Sequence, residues 1–474
     1  MISQLLSWLL AFAVILFLPH YAGADGLGKI TLAGSFASVF GLLSYMGSNM
    51  VLMRDIPRDT ASAGRLVVAS LLVRVPLAVV GIGLGLATGG LFGYGHELLF
   101  LIAIGLVGVA VGVVGDTISS AARGLEDFTI ANAGSVIDKV LSSGLIILVC
   151  IYHGPIWYIL AAPVFSSIFS SAYMFRGLSR ADIVWSMPDL TAVKALVLSG
   201  LPFVSAGIFV AIYGKSDPIF LSKLSTIQSV GWYGLANRLA GTAMALPSIV
   251  CSAMLPPLSA LFRESRAGFI DGAARLINLM IICCIPISAT MIFCPLPLVT
   301  LLSHHTASFL PATGVVRVYG LAVLFWFVSQ AAFTGIVASD EHKVIAGSMG
   351  IAALISVPIT AGLIYLTQHT MANGAIGAAW SDLIVEAFLV VCYCRALPAG
   401  VVSKSMIGVT ARALIAAVPL VVVVNLVPSN MALICAVPCM AAYAVLCITL
   451  KCVHPQDTVL LGRLIGGKFG VKLT

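Results

Sequence analysis

Ten ionisable side chains lie within long apolar runs of this sequence: Arg74, Asp116, Asp138, Lys139, Lys215, Asp217, Arg238, Arg317, Asp382 and Glu386. An ionised group at the centre of an inserted helix costs about 2.5–3.5 kcal/mol, so ten on isolated helices would cost on the order of 25–35 kcal/mol. That exceeds the stability of an ordinary fold, so they must face a protein interior or a wet chamber. Arg74, Lys215, Arg238 and Arg317 are cations at membrane depth and suit an anionic ligand. Lys215 and Asp217, two residues apart, point to different sides of a helix and do not simply neutralise each other. Asp382 and Glu386 are one turn apart and share a face. Two carboxylates that close in a low dielectric seldom both ionise, so such a pair holds a proton. With Asp217 they are the candidates for binding a coupling ion. Asp116 and Asp138, near helix ends, read as members of interior ion pairs.

The elements that position these groups are helices long enough to cross a bilayer. The 474 residues are 60% hydrophobic and only 9% charged, against roughly 25% charged in soluble domains. A bilayer core needs about 20 apolar residues per helix, and such runs recur with short polar breaks. The pattern predicts an all-α polytopic membrane protein with fourteen helices, at about 2–18, 30–53, 66–90, 98–122, 130–152, 156–175, 197–220, 232–257, 273–300, 312–337, 344–367, 374–394, 407–427 and 431–451. An apolar stretch before Ala22, Gly23 and Ala24 has the small-residue end of a secretory signal but no basic start, so it reads as an uncleaved first helix. Prolines 163, 202, 218, 247, 256, 286 and 358 are expected to interrupt or bend helices. Asp189 is placed to cap a helix that leads into the seventh span.

Loop charge fixes the orientation. One set of alternate loops holds Arg54, Arg58, Arg123, Arg176, Arg180, Arg263, Lys343 and Arg395, among others, while the opposite set holds only Lys29 and Lys223. By the positive-inside rule both termini are cytoplasmic. The opposite loops carry His20, His96, His153, His304, His305 and His369, which read as scattered neutral surface histidines and not as a metal site.

The first six helices and the next six repeat. Gly28-Lys29 with Leu32-Ala33 matches Gly231-Trp232 with Leu235-Ala236, Ala133-Gly134-Ser135 matches Ala346-Gly347-Ser348, and the run from Gly154 matches that from Gly374. Six helices per unit give both halves the same orientation in the membrane, a parallel repeat with its substrate cleft between lobes. The expected organisation is a lobe over 1–180, a cytoplasmic linker over 181–196, a second lobe over 197–396, two added helices over 397–451 and a cytoplasmic tail over 452–474. In the tail, Val459, Leu460, Leu464 and Ile465 beside Arg463 and Lys468 suit a segment lying on the membrane surface.

Several functions are excluded by pattern. Basic residues are scattered through short loops, which argues against nucleic acid as a partner. No loop is long enough for a soluble catalytic domain, and no nucleotide-binding Gly-rich Lys-Ser/Thr loop is present, so neither an enzyme nor a cofactor is expected. The eleven cysteines fall mostly in apolar runs with no CxxC pair, and read as small core residues.

Specific stretches carry a resemblance. LPHYAGADGLGK, ARGLEDF, the GLP opening the seventh span, Asp217 followed by hydrophobes, and VGWYGLANRLAGTAMALPSIVCSAMLPPLSALF resemble the polysaccharide flippases of the multidrug/oligosaccharidyl-lipid/polysaccharide exporter superfamily. The resemblance implies a two-lobed carrier that moves an undecaprenyl-pyrophosphate-linked oligosaccharide across a bacterial inner membrane, for O-antigen or exopolysaccharide synthesis. It implies a cationic central cavity around the pyrophosphate, with Arg74, Lys215, Arg238 and Arg317 as its candidates here. The implied partners are the lipid-linked oligosaccharide, membrane lipids, a coupling proton or sodium ion, and polysaccharide polymerase machinery. The alternative within the superfamily is a cation-coupled multidrug antiporter, which the excess of embedded basic groups disfavours.

Overall fold

Apolar stretches too long for strands, with backbone groups that lipid cannot satisfy, leave the helix as the structure each segment can form on its own. In a computed structural model of the chain, residues 2–45, 47–179, 185–304, 307–427, 429–450 and 452 are described, and among them there are α-helices and short 3₁₀ turns but no strand. The surface segment expected around Val459–Ile465 and part of the expected linker, 181–184, lie outside the described residues.

The helices are α1 (Ile2–Gly41), α2 (Ser48–Asp55), α3 (Ala63–Leu91), α4 (His96–Gly124), α5 (Phe128–Ile151), α6 (Trp157–Leu178), α7 (Leu190–Lys215), α8 (Asp217–Leu224), α9 (Ile227–Ala243), α10 (Ala245–Glu264), α11 (Arg266–Phe293), α12 (Pro295–Ser303), α13 (Ala312–Ala338), α14 (His342–Met371), α15 (Gly374–Ala396), α16 (Lys404–Leu426) and α17 (Ser429–Thr449). Eleven described segments are long and apolar enough to span a membrane, and the stretch Ile434–Thr449 is a shorter apolar helix. The fourteen expected spans match these elements approximately. α1 is two helices joined at Gly23, whose φ of 62° and ψ of −178° depart from helical geometry. The seventh span breaks at Ser216, giving α7 and α8. Pro218 stands in the first turn of α8, where its missing N–H removes nothing that a helix start would use. By contrast α6, α10, α11 and α14 run on through Pro163, Pro256, Pro286 and Pro358, so those prolines do not end their helices. Asp189 occupies the N-cap position of α7, and its carboxylate accepts from Thr191.

The chain divides into two compact units. The first comprises 1–242, 299–315 and 346–385, and the second 243–298, 316–345 and 386–474. In the first, Leu52, Ile56, Val67, Ile118, Ala122, Met174 and Leu178 form a buried cluster under α2 to α6. In the second, Ala289, Cys294, Leu420, Val424 and Ala436 bind α11 to α16 and α17. There the Tyr443 hydroxyl donates to the Ile282 carbonyl at 2.8 Å and Ser288 to that of Gly320 at 2.6 Å.

Candidate functional site

The break before α8 positions an acid. Asp217 is the first residue of that helix and only 2% exposed. α9 brings Tyr233 to it, with the hydroxyl 2.9 Å from Asp217 Oδ2 and 3.2 Å from Asp382 Oδ2 on α15. From α14, the Thr360 hydroxyl lies 3.3 Å from Asp217 Oδ1 and 2.6 Å from Ser381 Oγ. One turn beyond Tyr233 on α9, Asn237 donates its amide to the Tyr233 oxygen at 3.2 Å. Four helices of the first unit thus converge on two buried carboxylates. Tyr233 has one hydroxyl hydrogen and two acid oxygens within reach, so it can serve only one of them at a time. A proton or a small cation held between Asp217 and Asp382 would relieve the repulsion of the second.

The sequence pattern pairs Asp382 with Glu386, one turn along the same helix. The structure brings Asp382 to Asp217, and Glu386 accepts from Ser329 of α13 in the second unit. Tyr233, Thr360, Ser381 and Asn237 escape the sequence reading. The available signal was Tyr233 and Asn237 at i, i+4, one turn apart on the same helix.

Cations lie close to this cluster along the chain. Lys215, the last residue of α7, is exposed, and Arg238, next to Asn237, is half-buried with no ion-pair partner among the described residues. The other two candidate cations are placed differently. Arg74 on α3 is fully buried, and its guanidinium is satisfied from within the first unit. Nε donates to the Ser44 carbonyl at 2.9 Å, Nη1 to Asn49 at 2.5 Å and Thr117 at 2.8 Å, and Nη2 to Asp116 at 2.9 Å. Asn49 also donates to Asp116 at 2.5 Å, closing the ring, and the Tyr45 ring lies 5.5 Å from the guanidinium. Arg317, in the second unit, is exposed and donates to the Ile292 carbonyl at 3.3 Å. Asp138 accepts from Ser166 at 2.7 Å and Ser167 at 3.3 Å, both on α6, while Lys139 is half-buried. Among the histidines, His20 and His304 bring their rings to 4.7 Å, and no group of three or more metal-ligating side chains occurs among the described residues. His305 lies outside the described residues.

Known proteins agree with this architecture. The family described as "Polysaccharide biosynthesis protein" matches residues 1–262, more than half of the chain. No curated protein sequence is significantly similar. Among solved structures, the lipid II flippase MurJ in an inward closed conformation is similar with a TM-score of 0.74 and 14% identity, over 95% of this chain and 98% of that one. A multidrug resistance MATE family transporter of the MOP superfamily, inward-facing, gives a TM-score of 0.67 and 17% identity over 83% of this chain and 93% of the other. A MOP superfamily transporter from Pyrococcus furiosus gives 0.54 and 16% over 83% and 95%. Identities this low carry the fold alone.

Proposed function

We propose a function from one premise: the chain belongs to the polysaccharide biosynthesis protein family. It is a flippase that turns an undecaprenyl-pyrophosphate-linked oligosaccharide from the cytoplasmic to the periplasmic leaflet of a bacterial inner membrane, with both termini cytoplasmic. The work is done by alternating access of two six-helix lobes, 1–180 and 197–396. Carrying a pyrophosphate and a glycan through hydrocarbon unaided is prohibitive, so the head must travel in a polar chamber while the lipid tail stays in the bilayer.

The observation that supports this most is Arg238, a half-buried guanidinium at membrane depth without a carboxylate partner among the described residues. A cation so placed is stabilised when an anion arrives. Arg238 and Lys215 take the pyrophosphate by charge-assisted hydrogen bonds, and Asp217 with Asp382 takes the coupling proton or sodium ion. Tyr233 and Asn237 connect the two functions, since they share α9 with Arg238. Anion and cation therefore act on one helix from neighbouring turns.

Deleting the gene in its host should leave a lipid-linked oligosaccharide on the inner leaflet and remove surface glycan. The intact gene should restore the glycan; Arg238→Ala and Lys215→Ala should restore less than about a tenth of it while keeping normal membrane levels. Full export by both variants would remove the cationic site from the proposal. Export indifferent to proton and sodium gradients in the intact protein would remove the coupling role of Asp217 and Asp382.

A further inference from the structure

The expected second span, 30–53, does not run through as one helix. α1 ends at Gly41, a 3₁₀ turn covers Leu42–Ser44, Gly47 takes a left-handed φ of 60°, and α2 starts at Ser48. Beside the interruption stand Arg74 of α3 and Asp116 of α4, both hydrogen-bonded to it. Asp116 comes eight residues before the end of α4 at Gly124, about 12 Å at the rise of a helix. The interruption therefore sits within the depth of the spans. Irregular backbone there is tolerated only where protein buries it or where it lines a water-filled space.

One side of the break is closed. Arg74 is fully enclosed and donates to the Ser44 carbonyl, which the interrupted helix leaves over. The other side is open. Tyr45 is 44% exposed, and its ring centre lies 5.5 Å from the Arg74 guanidinium. The Asp116 side chain is 37% exposed, and its hydrogen bonds are one-sided. Arg74 Nη2 and the Asn49 amide both donate to Oδ2, while among the described residues no donor reaches Oδ1. An ionised oxygen at this depth is too costly against acyl chains, so it faces water or a solute.

Charge narrows what that solute is. Arg74 already supplies the counter-charge to Asp116, so the pair as a whole holds no surplus with which to draw a cation. An anion would meet Oδ1 as a like charge. What the free oxygen lacks is a neutral O–H donor, and it has two lone pairs to offer one. The open face of the Tyr45 ring is the negative side of the aromatic quadrupole, which suits the polarised C–H face of a pyranose. A hydroxyl acceptor beside an open aromatic face is complementary to a neutral sugar ring.

We propose that Tyr45 and Asp116 form a sugar-binding subsite in the first unit, where a neutral sugar of the cargo stacks on Tyr45 and donates a hydroxyl to Asp116 Oδ1. Asn49 and Arg74 are positioning residues, since by holding Oδ2 they turn Oδ1 outward. The subsite lets the carrier tell one glycan from another, which a site for the pyrophosphate alone does not. It rests on the flippase reading for the glycan being cargo, but not on the assignment of Lys215 and Arg238 to the pyrophosphate.

Three probes separate the two sites on the purified full chain in nanodiscs: the host's lipid-linked oligosaccharide, undecaprenyl pyrophosphate without sugar, and the oligosaccharide released from its lipid. Tyr45→Ala should weaken the first by about tenfold or more and remove saturable binding of the third, while leaving the second within about twofold. Tyr45→Trp, which keeps an aromatic face, should recover most of the loss. Asp116→Asn should show the same selective loss, and because Tyr45 is exposed its variants carry the test should Asp116→Asn not fold. Equal weakening of the sugar-bearing and sugar-free lipids by Tyr45→Ala overturns the subsite, as does unchanged affinity for all three probes or a released oligosaccharide that does not bind the intact protein. If the released oligosaccharide binds and the sugar-free lipid does not, the pyrophosphate site is at fault and the sugar subsite stands.

Discussion

Arg74 and Asp116 form an ion pair whose two members are unequally sheltered, and that inequality sets an order of stabilities. Arg74 is fully buried, whereas the Asp116 side chain keeps 37% of its exposure. Asp116→Ala leaves a guanidinium in the interior with Ser44, Asn49 and Thr117 as neutral acceptors and no counter-charge. Breaking a buried pair this way costs about 3–5 kcal/mol. Arg74→Met removes the buried charge instead. The remaining carboxylate keeps the Asn49 amide and turns to water, so the loss reduces to unmade hydrogen bonds, about 2–3 kcal/mol. Arg74→Met with Asp116→Ala removes both charges together, which leaves neither one buried and uncompensated. What remains is Asn49 and Thr117 short of partners, about 1–2 kcal/mol. The singles together exceed the double by about 3 kcal/mol or more, which a double-mutant cycle measures by reversible unfolding in mixed micelles. Equal costs for Asp116→Ala and Arg74→Met, or a double variant that equals the sum, would refute this account. The cycle also bears on cargo. A stable double variant that still exports glycan assigns Arg74 to the scaffold, and a stable one that does not returns it to the substrate path.

Tyr233→Phe removes the hydroxyl between Asp217 and Asp382, and hydrogen bonds to charged groups contribute about 1.5–3 kcal/mol. The variant should lose about that stability and lose any rise in melting temperature that sodium or acid gives the intact protein; an unchanged response to both ions would separate Tyr233 from ion binding. Outside the spans, Arg54, hydrogen-bonded to Asp55, and then Arg58 hold the Asp55 carboxyl below the usual carboxylate range, against a smaller opposing effect of burial. A depressed folded value means stability present above the unfolded value of about 3.9 and lost as pH falls through the folded one. Arg54→Ala should therefore lower the melting temperature slightly at pH 7, with the difference gone in strong acid, and a difference that persists there would contradict the pairing.

The spans were legible because lipid leaves few choices: an apolar run of the right length forms a helix whatever surrounds it. Partners were less legible. Arg74 is 42 positions from Asp116 and Tyr233 is 149 from Asp382. Spacing along one helix shows which residues share its face, as with Asp382 and Glu386, but it does not show which other helix that face meets. Local rules therefore gave Asp382 the acid nearest in sequence, while packing gave it Asp217 and Tyr233.

The helix break at Ser216 connects those two levels. A straight seventh span would continue its backbone bonds through Asp217, and Pro218 cannot donate the next one. The chain stops, restarts, and places Asp217 in the first turn of α8. The Ser216-Asp217-Pro218 sequence thus accounts for where the span breaks, and the hydroxyls of Tyr233 and Thr360 satisfy the acid left there at 2% exposure. Replacing Pro218 by Ala targets the break and changes the chemistry of no side chain in the cluster. If Pro218→Ala binds the coupling ion as tightly as the intact protein, the acid does not depend on the break. If affinity falls while the fold melts no earlier, the broken helix is itself part of the ion site.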